Sequence, residues 1–368
     1  MSDKTGISWT DATWNPVRGC SRVSEGCRHC YAERIAARFC GPGQPYEGLV
    51  TRRLKVISDN EQRMEARWTG DVRFVSEHLV DPLRWRKPRR IFVNSMSDLF
   101  HERLTNEHIA AVFGVMAACP QHTFQCLTKR ARRMRDWFAW ADRHGDGYDL
   151  MRFGPSALLT CAWEASTGDV WGDDDDGRCN PVVMDLPNAE TFGTLWPLPN
   201  VWLGVSVENQ AAADERIPEL LATPAAVRFL SCEPLLGEVD LHAIQIPDAE
   251  RGLRFSALQR HHDDRFGGSD TIVDWVISGC ESGPGARRCD VAWLRSLRDQ
   301  CAAAGVPFWL KQAVTAFEDH GRKAVEPSMQ AKRAVIAAGP GSKCKAGGVI
   351  ELPYLDGAQH AAFPEVTP

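Results

Sequence analysis

The 368-residue chain has an ordinary composition for a globular protein, with 43% hydrophobic and 25% charged residues. Its formal net charge of −5 does not attract nucleic acid, so any contact with nucleic acid has to come from a local basic patch. No apolar run approaches the roughly 18 residues of a membrane span, and the first residues lack the apolar core of a secretory signal. We therefore expect a cytoplasmic protein without membrane contact, whose thirteen cysteines are thiols or metal ligands rather than disulfides.

The first predicted elements surround a cysteine-rich loop. A short strand ending near Val17 leads into Cys20, Cys27 and Cys30, which have the spacing C-x6-C-x2-C, and a helix follows to about Phe39. Three thiolates in one loop can bind a soft metal ion or an iron–sulfur cluster.

Two kinds of metal centre are compatible with this loop. Structural zinc needs a fourth ligand, which His29 or a distant cysteine would have to supply, and the chain has no second C-x2-C pair. A four-iron cluster held by three thiolates instead keeps one iron open for chemistry. The residues alone leave both interpretations open, together with a third in which the cysteines bind nothing.

From residue 91 onwards, short apolar runs alternate with helical patterns, and every run ends in polar residues. The predicted strands lie at 91–93, 123–127, 201–205, 227–230, 275–277 and 307–310. The predicted helices lie at 106–118, from just after residue 130 to about 141, and at 291–304. Apolar strands alternating with helices predict a parallel sheet that is buried on both faces. We predict an α/β fold over residues 1–313, a parallel, partial barrel of the TIM type, with a doubly wound open sheet as the alternative.

Two stretches interrupt this alternation, at 142–199 and 240–272, and both are predicted to be surface insertions. The acidic run at 173–176 and the pair His261-His262 are more typical of solvated loops than of metal sites. Residues 314–368 show little periodicity, and we expect them to pack on the barrel as a C-terminal extension.

Polar residues at the ends of the predicted strands are candidate site residues, because the carboxyl ends of parallel strands meet at the mouth of an α/β barrel. Glu233, Glu281 and Lys311 are candidate catalytic residues there, with ordinary loop carboxylates as the alternative for the two glutamates. Lys129, Arg130 and Lys311 would make the mouth basic, which suits an anionic substrate.

Two Arg-rich stretches, at 84–90 and 129–140, also contain tryptophan. Arginine contacts phosphates and tryptophan stacks on bases in single-stranded or extruded nucleic acid. The candidate nucleic-acid-binding residues are Lys129, Arg130, Arg132 and Arg133. The alternative is a solvated basic helix face.

Several stretches together resemble a family from phages and bacteria that is known for this three-cysteine motif and for a neighbouring "three-Cys-motif partner protein". They include ISWTDATWNP, GCSRVSEGCRHCYAER, FVNSMSDLF, WLGVSVENQ, SCEPLLG, ESGPGAR and FWLKQ. The loop, with Tyr31 directly after its last cysteine, is also similar to that of radical S-adenosylmethionine enzymes. It departs from their usual C-x3-C-x2-C by a longer first gap.

The resemblance implies a [4Fe-4S] cluster on Cys20, Cys27 and Cys30, S-adenosylmethionine as a second cofactor, and an electron donor such as flavodoxin or ferredoxin. It also implies cofactor contacts from Tyr31, Ser97, Asp98, Ser206, Glu208 and Asn209, with helix capping as the alternative for Ser97 and Asp98. Cys280 could return a hydrogen atom to a substrate radical, or be a small buried hydrophobe.

The expected function is then a radical S-adenosylmethionine enzyme that repairs or modifies a nucleic-acid base. Two alternatives come from other classes. One is a zinc-containing nucleic-acid-binding protein without catalysis, and the other is a subunit that acts only with the partner protein.

Overall fold

The computed structural model describes residues 5–58, 61–145, 197–246, 252–260, 272–282, 286–314, 343–345, 349–352, 354–356 and 358–365. Most of the first predicted insertion and of the C-terminal extension, and about half of the second insertion, lie outside the described residues. The acidic run and His261-His262 lie outside them too, so those predictions stay predictions. None of the helices in the described ranges combines the length and the apolar character that crossing a membrane requires.

The chain divides into two compact units. Unit 1 contains Met1–Thr5 and Thr10–Trp202, and unit 2 contains Gly6–Trp9 and Leu203–Pro368. The described residues do not test the domain boundary that was predicted near residue 313.

Unit 1 combines parallel strands with two small antiparallel pairs. Its strands are β1 (Ala12–Trp14), β2 (Val17–Arg18), β3 (Val50–Ser58), β4 (Glu61–Trp68), β5 (Arg73–Phe74), β6 (Arg90–Val93) and β7 (Thr123–Thr128). Its helices are α1 (Tyr31–Ala36), α2 (Asn106–Ala117) and α3 (Ala131–Gly145). β1, β6 and β7 are parallel neighbours, whereas β2 pairs with β5 and β3 pairs with β4 in antiparallel fashion.

The core of unit 1 lies between these parallel strands and α2. Ile91, Phe92 and Val93 of β6 are buried, and every residue of α2 from Ile109 to Ala117 is buried as well. Thr105 caps α2, because its side chain accepts a hydrogen bond from the backbone amide of His108. The apolar run at 91–93 and the helix at 106–118 were predicted from the sequence, and both are confirmed within one residue.

Unit 2 continues the alternation of strands and helices. Its strands are β8 (Val201–Ser206), which begins in unit 1, β9 (Val227–Cys232), β10 (Ile244–Gln245), β11 (Arg254–Phe255), β12 (Trp275–Gly279), β13 (Phe308–Val314), β14 (Lys343–Lys345), β15 (Val349–Glu351), β16 (Tyr354–Leu355) and β17 (Ala358–Gln359). Its helices are α4 (Gln210–Leu221) and α5 (Val291–Ala304). β9, β12 and β13 are parallel neighbours, and β15 and β14 add an antiparallel edge.

An aromatic cluster fills the core of unit 2 below the polar strand ends. Trp275 lies with ring centroids 5.8 Å from Phe229 and 6.3 Å from both Trp9 and Trp309. Gly204 is required beside this cluster, since a Cβ atom there would lie 2.5 Å from the Phe229 ring. The α/β class with seven parallel strands is therefore confirmed among the described residues. Closure into a TIM-type barrel stays a prediction.

Candidate functional site

The cysteine loop begins beside the carboxyl end of β6. Gly19 forms a parallel bridge with Ser97, which lies just beyond that strand. Gly19 has φ +89°, and a Cβ atom on it would lie 2.2 Å from the carbonyl oxygen of Asp71, so only glycine fits there. The loop therefore lies at the strand end where the parallel topology predicts a site.

The three cysteines of the loop are free thiols and half-buried. Burial, followed by the charge of Asp98, raises the pKa of Cys20 to about 12, and negative charge on Cys30 or Cys27 would raise it further. Burial likewise raises the pKa of Cys30. The thiols are thus close enough to influence one another. Over the described residues, however, no group of three or more His, Cys, Asp or Glu side chains could hold a metal ion.

Arg130 is the hub of a buried polar network beneath the loop. Its Nη1 lies 3.0 Å from Asp98 Oδ2 and 3.9 Å from Cys20 Sγ, and its Nη2 donates to Ser21 Oγ at 2.7 Å. Its Nε donates to Glu102 Oε1 at 2.8 Å. Burial acts to lower the pKa of Arg130, but Asp98 and its other anionic neighbours outweigh burial and raise that pKa. The side chain of Arg130 is only 4% exposed and fully engaged, so its surroundings do not support the predicted role in nucleic-acid binding, which stays a prediction.

Asp98 is committed to the same network. Besides Arg130, its carboxylate accepts hydrogen bonds from Thr128 Oγ1 at 2.8 Å and from the backbone amides of Lys129 and Phe100. The predicted contact with a cofactor amino group is not supported, because these donors occupy the carboxylate. Asp98 does not cap the next helix either, since that helix begins after Thr105.

The other two predicted cofactor contacts near the loop hold backbone segments together. Ser97 Oγ donates to the carbonyl oxygen of Val17 at 2.9 Å. The hydroxyl of Tyr31 donates to the carbonyl oxygen of Ser95 at 2.5 Å, while 44% of the residue remains exposed. The cofactor contact of Tyr31 stays a prediction, and its exposed ring leaves room for it.

Four residues of this network were not predicted from the sequence: Ser21, His101, Glu102 and Thr128. Ser21 Oγ lies 2.9 Å from His101 Nε2, which links the cysteine loop to the turn after β6. Burial, followed by the charge of Arg130, lowers the pKa of His101. Only the polar strand ends gave any signal for this cluster, and they did not indicate which side chains would meet.

The remaining basic candidates lie at or near the start of α3. Arg133 donates to Asn106 Oδ1 at 2.6 Å and is half-buried, so it serves the packing of α3 against the start of α2. Lys129 is half-buried and Arg132 is exposed. Nucleic-acid binding by Lys129 and Arg132 stays a prediction. These two residues alone would form only a small basic surface.

The predicted cofactor contacts of unit 2 already have partners within the protein. Glu208 and Arg216 form an ion pair of 2.8 Å in which the side chains are 2% and 3% exposed. Arg216 also donates to the backbone carbonyl of Ser206, which is itself buried. Asn209 caps α4 by accepting from the amide of Ala212. Their surroundings do not support cofactor contact by Ser206, Glu208 and Asn209, which stays a prediction.

Glu233, which follows β9, forms an ion pair with Lys311. Lys311 was expected at the end of its strand, but β13 continues to Val314, so Lys311 lies within it. Lys311 Nζ lies 3.1 Å from Glu233 Oε1, with the side chains 20% and 11% exposed. Gly279 makes room for this pair, since a Cβ atom on it would lie 2.8 Å from Glu233 Oε1. Their catalytic role stays a prediction.

The two other catalytic candidates of unit 2 are occupied or buried. Glu281 accepts from both the backbone amide and the guanidinium of Arg287. Cys280 is 1% exposed, burial raises the pKa of its thiol, and its carbonyl oxygen accepts from Gln312 Nε2 at 2.7 Å. These environments fit a loop ion pair and a small buried side chain better than catalytic groups.

Comparison with known proteins identifies one relationship. No characterised protein and no solved structure matches the chain significantly. A family model described as "Protein of unknown function (DUF5131)" matches residues 4–364. Because the match spans nearly the whole chain, this protein belongs to the DUF5131 family.

Proposed function

We propose that the cysteine loop holds a [4Fe-4S] cluster through Cys20, Cys27 and Cys30, and that the protein is a radical S-adenosylmethionine enzyme acting on a nucleic-acid base. One observation carries the proposal. Three thiols of a single short loop lie within electrostatic reach of one another, next to the carboxyl end of a parallel strand. The resemblance of the loop to that of radical enzymes supplies the chemistry.

The donor set suits a cluster better than a single zinc ion. Four ligands at about 2.3 Å around one zinc ion require sulfur atoms in close contact with one another. In a cluster each thiolate binds a different iron, so its ligands lie further apart. Cys20, Cys27 and Cys30 supply three thiolates and the chain has no second C-x2-C pair, which favours the second arrangement with one open iron.

When bound, such a cluster with an open iron would supply the one electron, taken from a flavodoxin- or ferredoxin-type donor, that is needed to cleave S-adenosylmethionine into methionine and a 5′-deoxyadenosyl radical. The residues of this chain hold the loop in place for that chemistry. Arg130 fixes Ser21 next to Cys20, and Asp98 fixes Arg130. The Arg130 cation also lies where it offsets negative charge on the Cys20 thiolate.

Metal analysis after anaerobic purification tests the cluster. The wild-type protein is expected to contain about four irons with matching sulfide and to absorb in the visible range. Cys27→Ala should lose both. Cys40→Ala is the matched control, because Cys40 is also a half-buried free thiol packed on the same core but lies outside the motif.

Two results would overturn this assignment. One zinc and no iron in the wild-type protein would assign a zinc-containing binding protein, and full iron loading of Cys27→Ala would remove Cys27 from the ligand set. With the cluster in place, reduction in the presence of S-adenosylmethionine should release 5′-deoxyadenosine. Release only after addition of the three-Cys-motif partner protein would identify the chain as one subunit of the enzyme.

A further inference from the structure

A two-stranded ribbon extends from the region of the cysteine loop. β3 and β4 pair in antiparallel fashion from Val50 opposite Trp68 to Ser58 opposite Glu61, and no other described strand pairs with them. Nine residues of extended chain span about 30 Å. The ribbon is therefore long enough to reach well beyond the residues that anchor it.

The base of the ribbon is fixed to the cysteine loop. Val50 and Trp68 are buried in a small core with α1, against which Cys20 and Cys30 also pack. Glu33 of α1 accepts from the backbone amide of Trp68 at 3.0 Å and from Arg22 of the loop at 2.9 Å. A ligand held by the ribbon is thereby positioned relative to the loop.

One face of the ribbon carries an apolar pair that is exposed beyond the base. Arg52, which donates to the carbonyl oxygen of Ala37, lies on this face between the pair and the base. Side chains alternate between the two faces of a strand, so Leu54 and Met64 lie on the same face as the buried Val50 and Trp68. They are opposite each other and are 58% and 56% exposed. An adjacent exposed pair of this kind indicates a contact surface rather than a scattered apolar residue.

The other face of the ribbon is basic. Arg53 and Arg67 are exposed on it, and neither has an ion-pair or hydrogen-bond partner for its side chain among the described residues. Glu65 lies opposite Arg53, but its carboxylate is 4.0 Å from Arg22.

The surrounding sequence shares this charge. Residues 18–73 contain eleven Lys and Arg against seven Asp and Glu, although the whole chain has a net charge of −5. Positive charge is therefore concentrated on the part of the chain that contains the loop, α1 and the ribbon. Such a local patch attracts a polyanion in spite of the negative total.

We propose that the β3–β4 ribbon binds double-stranded DNA by entering its major groove. The groove is about 12 Å wide and accommodates a two-stranded ribbon. Arg53 and Arg67 contact phosphates, and the Leu54–Met64 pair packs against thymine methyl groups at the base edges. This inference names the substrate class of the proposed function, and it rests on that function only for the chemistry that follows binding.

The shape of the ribbon selects DNA over double-stranded RNA. The major groove of A-form RNA is deep and too narrow for side chains to read, so a ribbon cannot enter it. A protein partner would cover Leu54 and Met64. It would not explain Arg53 and Arg67 on the opposite face, whose side chains have no partner among the described residues.

Fluorescence anisotropy with a labelled 20-base-pair DNA duplex tests the inference on the full-length protein over a series of salt concentrations. Arg53→Gln/Arg67→Gln should weaken binding roughly tenfold or more and lower the slope of log K against log salt by about 2, since each phosphate contact contributes about 0.9. Leu54→Ser/Met64→Ser should weaken binding and leave the slope unchanged.

The matched control is Arg254→Gln/Arg260→Gln, which removes the same charge from two exposed residues of unit 2, outside both Arg-rich stretches. It should bind like the wild type. An equal loss of affinity in this control, a preference for an RNA duplex of the same sequence, or no binding to DNA at low salt would overturn the inference.

The outcome can be separated from that of the proposed function. DNA binding is measured on the metal-free protein, and iron is measured without DNA. An iron-loaded protein that ignores DNA would contradict the ribbon assignment alone. A zinc-containing or metal-free protein whose ribbon variants lose DNA binding would contradict the cluster alone.

Discussion

The two units use charged side chains at their strand ends in different ways. In unit 1 a single guanidinium, that of Arg130, serves partners on two segments: Ser21 of the cysteine loop, and Asp98 and Glu102 of the connection after β6. In unit 2 three carboxylates at or near strand ends each pair with a different cation. These pairs are Glu208–Arg216, Glu233–Lys311 and Glu281–Arg287.

The difference has a consequence for how far a change propagates. A shared cation couples the positions of all the segments that it contacts, so loss of Arg130 affects the cysteine loop directly. A separate pair is local, because each of its members satisfies the other. Unit 1 therefore combines its ion pairs with the positioning of a candidate site, whereas those of unit 2 mainly support the connections that follow its strands.

The largest effect on stability is expected from Arg216→Met in unit 2. It leaves Glu208 buried without its cation, which costs about 3–5 kcal/mol in the free energy of unfolding. Denaturant unfolding measures the loss. The double variant Arg216→Met/Glu208→Leu should recover much of it, and a double variant as unstable as the single one would contradict a local pair.

Arg130→Met in unit 1 should cost less stability and disturb more of the site. Asp98 keeps three other hydrogen-bond donors, so we expect a loss of about 3 kcal/mol or somewhat less. Hydrogen exchange of residues 19–30 should become faster in the metal-free protein. Arg133→Met, which removes a half-buried arginine of the same helix, is the control and should leave that exchange unchanged.

The pair Glu233–Lys311 should contribute less, because both side chains retain some exposure. Lys311→Met is expected to lower the free energy of unfolding by about 1 kcal/mol. A double-mutant cycle with Glu233→Gln measures the coupling. A coupling as large as that of Glu208 and Arg216 would mean that this pair belongs with the buried ones.

The smallest expected effect is a dependence of stability on pH, and it arises at His101 in unit 1. Burial holds the pKa of His101 below 6.5, so the folded chain binds fewer protons than the unfolded chain once the pH falls below that value. Stability that is present above pH 6.5 is then lost as the pH falls towards the lowered pKa. The destabilisation of the wild type between pH 7.5 and 5.5 should be larger than that of His101→Gln, and an equal change in both would remove His101 as a source.

Elements with a strong local pattern were predictable. The helix at 291–304 was predicted with the bounds that α5 has, because Asp290 caps it and Gly305 ends it. The ribbon was missed. Its sequence mixes charged and apolar residues, and Arg52, Arg53 and Leu54 of β3 are all exposed, so it lacks the apolar alternation that identifies a half-buried strand.

The candidate site was predictable only as a location. Polar residues at strand ends were expected to line a mouth, but Asp98, Glu208 and Glu281 instead satisfy nearby donors. Which donor they meet depends on pairs distant in the sequence, as with Arg130 and Ser21, which are 109 residues apart. A buried carboxylate binds whatever cation the fold brings within reach, and a single sequence does not contain that distance.

By itself the sequence determined the α/β alternation, the helix ends and the clustering of three cysteines in one loop, because each depends on residues that are neighbours along the chain. Only the tertiary structure decided that Arg130 lies under the loop, that Glu33 joins the loop to the ribbon, and that Leu54 and Met64 remain exposed. Burial and pairing are properties of surfaces that meet in space, and they fix the energy of a charge far more strongly than its position in the sequence does.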